Sequence, residues 1–137
     1  MQTRAVKVVA IHNNKLVIVK QFREGKRKFT YELPGGRIEH AEQPRQGALR
    51  ELSEETGLIA GSLKELGTYR VANNPVVVTL YFTDHIIRQQ QQHLDNDEQI
   101  YVLYVNVDDA LKYVGNGTWP DVRLGIGLIL ARAKGLI

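Results

Sequence analysis

The tightest constraint on this chain lies between residues 29 and 57. FTYEL at 29–33 alternates as a strand does, then stops at Pro34-Gly35-Gly36, a strong turn signal. Pro44 suits the first turn of a helix, where its missing N–H is not needed, and Gly57 suits a left-handed C-terminal cap. Strand, glycine turn, helix and glycine stop thus follow one another closely. Within the helix, LRELSEET (49–56) sets Glu51, Glu54 and Glu55 in one narrow stripe. Like charges at these spacings destabilise a helix by about 0.2–0.5 kcal/mol per pair. Ala48, Leu49, Leu52 and Thr56 fall on the side expected to pack on a sheet, with the glutamates exposed beside them. Taken alone, the stripe is either a solvated face or a grip for a hard divalent cation, which prefers carboxylate oxygens.

The remaining chain supplies short strands and two further helices. AVKVVAI (5–11) and LVIVKQ (16–21) read as a hairpin turning at Asn13-Asn14, followed by an exposed basic loop, REGKRK. Residues 63–72 and 76–87 read as strands broken by NNP at 73–75, and RQQQQH (88–93) as a mobile polar connection. IYVLYVNV (100–107) is a strand, DDALKY starts a short helix, and GNGTWP breaks it. Asp121 is expected to cap a last helix whose apolar face is Val122, Ile126, Ile129, Leu130 and Ala133. The order predicts an α/β (α+β) fold, one mixed sheet sandwiched between helices, as a single domain over 1–137.

Charge and cysteine usage narrow the function classes. A net charge of +3 is too weak to argue for nucleic acid or a membrane surface. The longest apolar tract, LGIGLILA, is far too short to span a bilayer, and the first residues lack the apolar run of a signal peptide. With no cysteine there is no disulfide, zinc-thiolate site or thiol nucleophile, which fits a cytoplasmic setting. The four histidines show no metal-ligand spacing. Tyr31, Tyr69, Tyr81 and Phe82 read as core or strand-pair residues.

The wider spacing decides between the two readings of the stripe. GRIEHAEQPRQGALRELSEETGL (36–58) places Gly36, Glu42, Arg50, Glu51, Leu52, Glu54, Glu55, Gly57 and Leu58 in the pattern of the Nudix box, without departure. The chain therefore resembles a Nudix hydrolase. That resemblance implies an α/β/α sandwich and metal-dependent hydrolysis of a diphosphate joined to another moiety, usually in a nucleoside diphosphate derivative. It implies Mg²⁺, or Mn²⁺, held by Glu51, Glu54 and Glu55 with a contribution from the Gly35 carbonyl. Arg50 would orient the glutamates and Glu42 would brace the loop. Glu98 would act as general base, with Asp95 and Asp97 as rivals. Arg23, Gly36 and Arg37 are the candidate substrate contacts, Arg23 either binding a phosphate or bracing the glutamates.

KQFRE (20–24), ELPGG (32–36) and Pro75 resemble the ADP-ribose pyrophosphatase branch, so ADP-ribose or a nucleotide sugar is the favoured substrate class. A house-cleaning nucleoside triphosphate pyrophosphohydrolase is the alternative enzyme, and a non-catalytic nucleotide-binding sensor the alternative of another class. A small-molecule partner is expected, without nucleic acid or membrane, and a homodimer is left open.

Overall fold

The computed structural model describes residues 3–70 and 72–137. Its strands are β1 (Thr3–His12), β2 (Lys15–Arg23), β3 (Lys28–Glu32), β4 (Gly35–Arg37), β5 (Leu58–Ala60), β6 (Lys64–Arg70), β7 (Val76–Thr83), β8 (Ile86–Gln89) and β9 (Ile100–Val105). Its helices are α1 (Pro44–Thr56), α2 (Val107–Gly115) and α3 (Val122–Ala133). Val71, part of an expected strand, lies outside the described residues, as do residues 1 and 2.

The expected hairpin is present. Asn13 and Asn14 both take positive φ (51° and 63°), which lets the turn follow the strands' right-handed twist. β1 runs parallel to β7 from Thr3↔Val76 to Ala10↔Thr83, and antiparallel to its other partners. The sheet is therefore mixed, as expected.

Its most consequential feature is a fork. β1 pairs with β2 only at Ile11↔Leu16 and His12↔Lys15, then with β4 at residues 5–7. β2 meanwhile pairs with β3 and β9. The segment Glu32–Pro34 crosses this fork, and the Val8 N–H donates to the Pro34 carbonyl across it (2.9 Å).

Alternate β1 side chains serve two cores, as a two-residue period requires. Val6, Val8 and Ala10 pack with Ala48 and Leu52 of α1, while Ala5 and Val9 pack with Leu124, Leu128 and Ala131 of α3. The sandwich of helices around a sheet follows from that alternation.

Three expectations need correction. The buried side of α3 is Leu124, Gly127, Leu128 and Ala131, whereas Val122 and Ile129 are 53% and 65% exposed and Ala133 faces solvent. The tract is apolar nearly all round, so its period could not choose a face. Close approach chooses it: a Cβ on Gly127 would lie 2.8 Å from Leu33 Cδ1. Second, Leu49 is half-exposed, and the side of α1 facing the sheet is Ala48, Leu52 and Thr56. Third, the expected strand 76–87 is two strands, and the polar run after it is anchored. β8 pairs with β5, and Gln90 and His93 donate backbone N–H groups to the Gly57 and Glu54 carbonyls (both 2.8 Å).

Candidate active site

The acidic stripe on α1 forms one wall of a small polar cleft of about 220 Å³. Arg37, Glu39, Arg50, Glu51, Glu54, Glu55, Asp95 and Glu98 line it. Three segments distant in sequence build it. α1 begins at Pro44 behind a Gln43–Gln46 capping box and ends at Gly57, whose φ of 77° is the expected left-handed cap. The helix end then organises the third segment. The Gln92 side chain donates to the Glu55 carbonyl (2.6 Å) and the Ile100 carbonyl (3.1 Å), and His93 N–H to the Glu54 carbonyl. Carbonyls that a helix leaves unsatisfied at its C-terminus thus hold the loop carrying Asp95 and Glu98. The Glu98 carboxylate in turn accepts the Asp95 N–H (2.8 Å).

The glycine turn is the second wall. A Cβ on Gly36 would lie 2.7 Å from Glu51 Oε1, so only glycine lets that carboxylate lie against the backbone. The Gly35 N–H donates to Glu55 Oε1 at 2.9 Å.

Glu55 departs most from expectation: it is 7% exposed, not on the solvated side. Burial pushes its carboxyl up to about 8, against the pull of Lys7 and the Gly35 N–H, and with further push from Glu51 and Glu98. Glu51 is raised too, chiefly by burial, with Arg50 opposing.

Arg50 is the hub of the ridge. Its Nε and Nη2 donate to the two oxygens of Glu42 (2.8 and 3.0 Å). Its Nη1 reaches Glu51 Oε1 (3.0 Å) and Glu54 Oε2 (3.1 Å), and Nη2 also donates to the Arg37 carbonyl (3.1 Å). Arg50 holds the Glu42 carboxyl below the usual range, and Glu42 in turn receives the Glu39 N–H. Such a planar fork can hold several carboxylates in fixed directions, which a lysine cannot.

Arg23 stands apart from this cleft. It binds Glu32 through Nε (2.9 Å) and Nη2 (2.8 Å). Glu32 borders a second, larger cleft of about 670 Å³ between β3 and the start of α3, lined by Lys28, Phe29, Tyr31, Thr118 and Arg123 among others. Tyr31, read as a core or strand-pair residue, pairs with Lys20 between β2 and β3, stacks on the buried Trp119 (centroids 5.1 Å apart, planes 12° apart) and lines this cleft. No signal within the Nudix box pointed to Trp119 or Arg123. Tyr81 and Phe82 are core residues, and Tyr69, 42% exposed, is a strand-pair residue opposite Val78, all as expected.

The donor set fits a hard divalent cation. Glu55 is a buried carboxylate whose nearest partner in the turn is a neutral N–H, and Glu51, Glu54 and Glu98 share its cleft. Among the described residues no three acidic or imidazole side chains already converge at metal-ligating geometry. Arg50 instead draws Glu51 and Glu54 towards itself. Among the described residues, no helix is long and apolar enough to cross a membrane.

Comparison with known proteins agrees with this geometry. The NUDIX domain matches residues 1–121. An ADP-ribose pyrophosphatase of Bacillus subtilis (strain 168) is 34% identical over 134 residues, covering 95% of this chain and 72% of that protein. A methanol dehydrogenase activator of Bacillus methanolicus is 36% identical over 116 residues, covering 80% of this chain and 62% of that protein. The crystal structure of an ADP compounds hydrolase has a TM-score of 0.85, covering 100% of this chain and 77% of that one; at 18% identity it shows a shared fold. The chain belongs to the NUDIX family.

Proposed function

We propose that this Nudix hydrolase cleaves the diphosphate of a nucleoside diphosphate derivative, of the ADP-ribose or nucleotide-sugar class. The observation that carries the reading is Glu55, a buried carboxylate in a cleft of acids. An acid cleft alone would repel a diphosphate. Mg²⁺ held by Glu51, Glu54 and Glu55, and by the Gly35 carbonyl, would offset that repulsion and offer open positions to phosphate oxygens.

A bound divalent ion would supply charge neutralisation and a more acidic water. The chain's own groups would do the rest. Arg50 pairs with Glu51 and Glu54 on the wall of the cleft and would hold them beside the site until the ion draws them in. Glu98, fixed on its loop by the Asp95 N–H, accepts the proton of the attacking water. Gly36 and the exposed Arg37 lie where the phosphates would enter. The larger cleft would take the remainder of the substrate, with Phe29 and Tyr31 as apolar surface. Arg23 contributes there by holding Glu32, which is not one of the stripe glutamates it was expected to brace.

The likeness to an ADP-ribose pyrophosphatase over most of this chain supports the substrate class. The test is a panel of ADP-ribose, other nucleoside diphosphate sugars, dinucleotides and nucleoside triphosphates with Mg²⁺ or Mn²⁺. Release of AMP and a sugar phosphate is expected. Turnover confined to triphosphates would favour the house-cleaning alternative, and tight binding with no cleavage of any compound the sensor.

A further inference from the structure

Lys7 interrupts an apolar strand, AVKVVAI, and is only 4% exposed. A buried ammonium is unfavourable unless it is paired and hydrogen-bonded. Lys7 is both: its Nζ donates to Glu32 Oε1 (3.2 Å) and to the Leu33 carbonyl (3.0 Å). Glu32, also buried, receives Arg23 twice and the Thr30 hydroxyl, and Arg123 approaches it to 4.0 Å. Lys7 and Arg23 thus share the Glu32 carboxylate, while Arg123 is paired more closely with Asp121 (3.0 Å), leaving an excess of positive charge around Glu32.

The position matters as much as the charge. Lys7 sits at the fork of the sheet, opposite Gly35 in the β1–β4 ladder. Its Cδ would lie 2.8 Å from a Cβ on Gly35. Lys7 grips Leu33 and the neighbouring Val8 grips Pro34, and the next residue, Gly35, donates to Glu55. Replacing a whole buried ion cluster with apolar groups is often neutral or stabilising, although removing one partner alone is costly. Stability alone therefore does not explain a lysine here.

We infer that Lys7 is a positioning residue of the hydrolytic site, holding the Glu32–Pro34 corner that aims Gly35 at Glu55 and offsetting, from inside the sheet, the mutual repulsion of the acidic ridge. The inference rests on the ridge binding a divalent cation, and the parent chain controls for that. The experiment measures Mn²⁺ affinity without substrate, by the resonance signal of free Mn²⁺, together with kcat and KM, for the parent, Lys7→Met and Lys7→Gln. Fluorescence of the single tryptophan, Trp119, monitors folding.

Lys7→Met is expected to lose about tenfold or more in Mn²⁺ affinity and in kcat, the range for groups that orient metal ligands, with KM nearly unchanged. Lys7→Gln, which retains a donor for the Leu33 carbonyl, is expected to lose less but still about threefold or more. It decides the matter if Lys7→Met does not fold. A folded variant with parental Mn²⁺ affinity and kcat, altered only in melting temperature, would make Lys7 merely structural. A parent that binds no Mn²⁺ would overturn the ridge reading and this inference together.

Discussion

The Gly35 N–H donates to Glu55 Oε1 at 2.9 Å, joining a glycine turn on the sheet to the last acid of α1 across 20 residues of sequence. That bond closes the cleft on its buried side. It also explains why Glu55 is the least exposed acid of the ridge.

The pH dependence of the metal-free protein follows from Glu55. In the unfolded chain this carboxyl titrates near the ordinary glutamate value of about 4.5, while burial raises it to about 8 when folded. Between those values the folded state binds the extra proton, so stability is greatest at the acid end and falls as pH rises. The loss by pH 8 is on the order of a few kcal/mol. Glu32 acts in a separate window: held well below the usual range by Arg23 and Lys7 despite burial, it adds stability that disappears only as pH drops below about 4.5. Urea denaturation in chelator at pH 5, 6.5 and 8 should show the decline, and Glu55→Gln should flatten it. A rise in stability from pH 5 to 8 would contradict the assignment.

Much of this site was legible in sequence, and the remainder was hidden for definable reasons. Asn13-Asn14, Pro44 and Gly57 act through local backbone preference, so their turns and caps could be read directly. The burial of Glu55 could not. A helix wheel places it beside Glu51 and Glu54, but the turn at Gly35 and the loop after Gln90 cover it, and both are remote in sequence. RQQQQH looks like a tether because it is polar, yet its amides find the helix-end carbonyls. The two short paired strands β5 and β8 carry too few residues for a periodic signal. The larger cleft joins β3 to the start of α3, a juxtaposition that only the fold creates.

Gly36→Ala places a methyl 2.7 Å from the Glu51 carboxylate, so that side chain must move. Activity should fall about tenfold or more, equivalent to about 1.4 kcal/mol of barrier, while the melting temperature changes modestly. Steady-state kinetics beside thermal melts would check this, and parental kcat would show that Glu51 has room to spare.

Arg50→Ala leaves Glu42, Glu51 and Glu54 without their shared partner. A loss of about 2 kcal/mol in stability is expected, the scale for hydrogen bonds to charged groups, with a larger proportional loss of turnover. Arg50→Lys should recover little, because one ammonium cannot replace a fork that serves several carboxylates. Full recovery by lysine would reduce Arg50 to a source of charge.

Glu98→Gln keeps an acceptor for the Asp95 N–H, so the loop should stay in place. Turnover should nonetheless drop about a hundredfold or more, as removal of a general base does, with the melting temperature unchanged. If kcat is retained, Asp95 or Asp97 becomes the candidate, and the same substitution at each would locate the base.

The most direct test follows ADP-ribose cleavage while Mn²⁺ is titrated into chelator-treated parent and Glu55→Gln proteins. The account predicts no cleavage before Mn²⁺ is added, restoration of AMP release in the parent as the ion binds, and almost none in Glu55→Gln at any concentration. Cleavage by the metal-free parent, or an equal response from the Glu55→Gln protein, would contradict it.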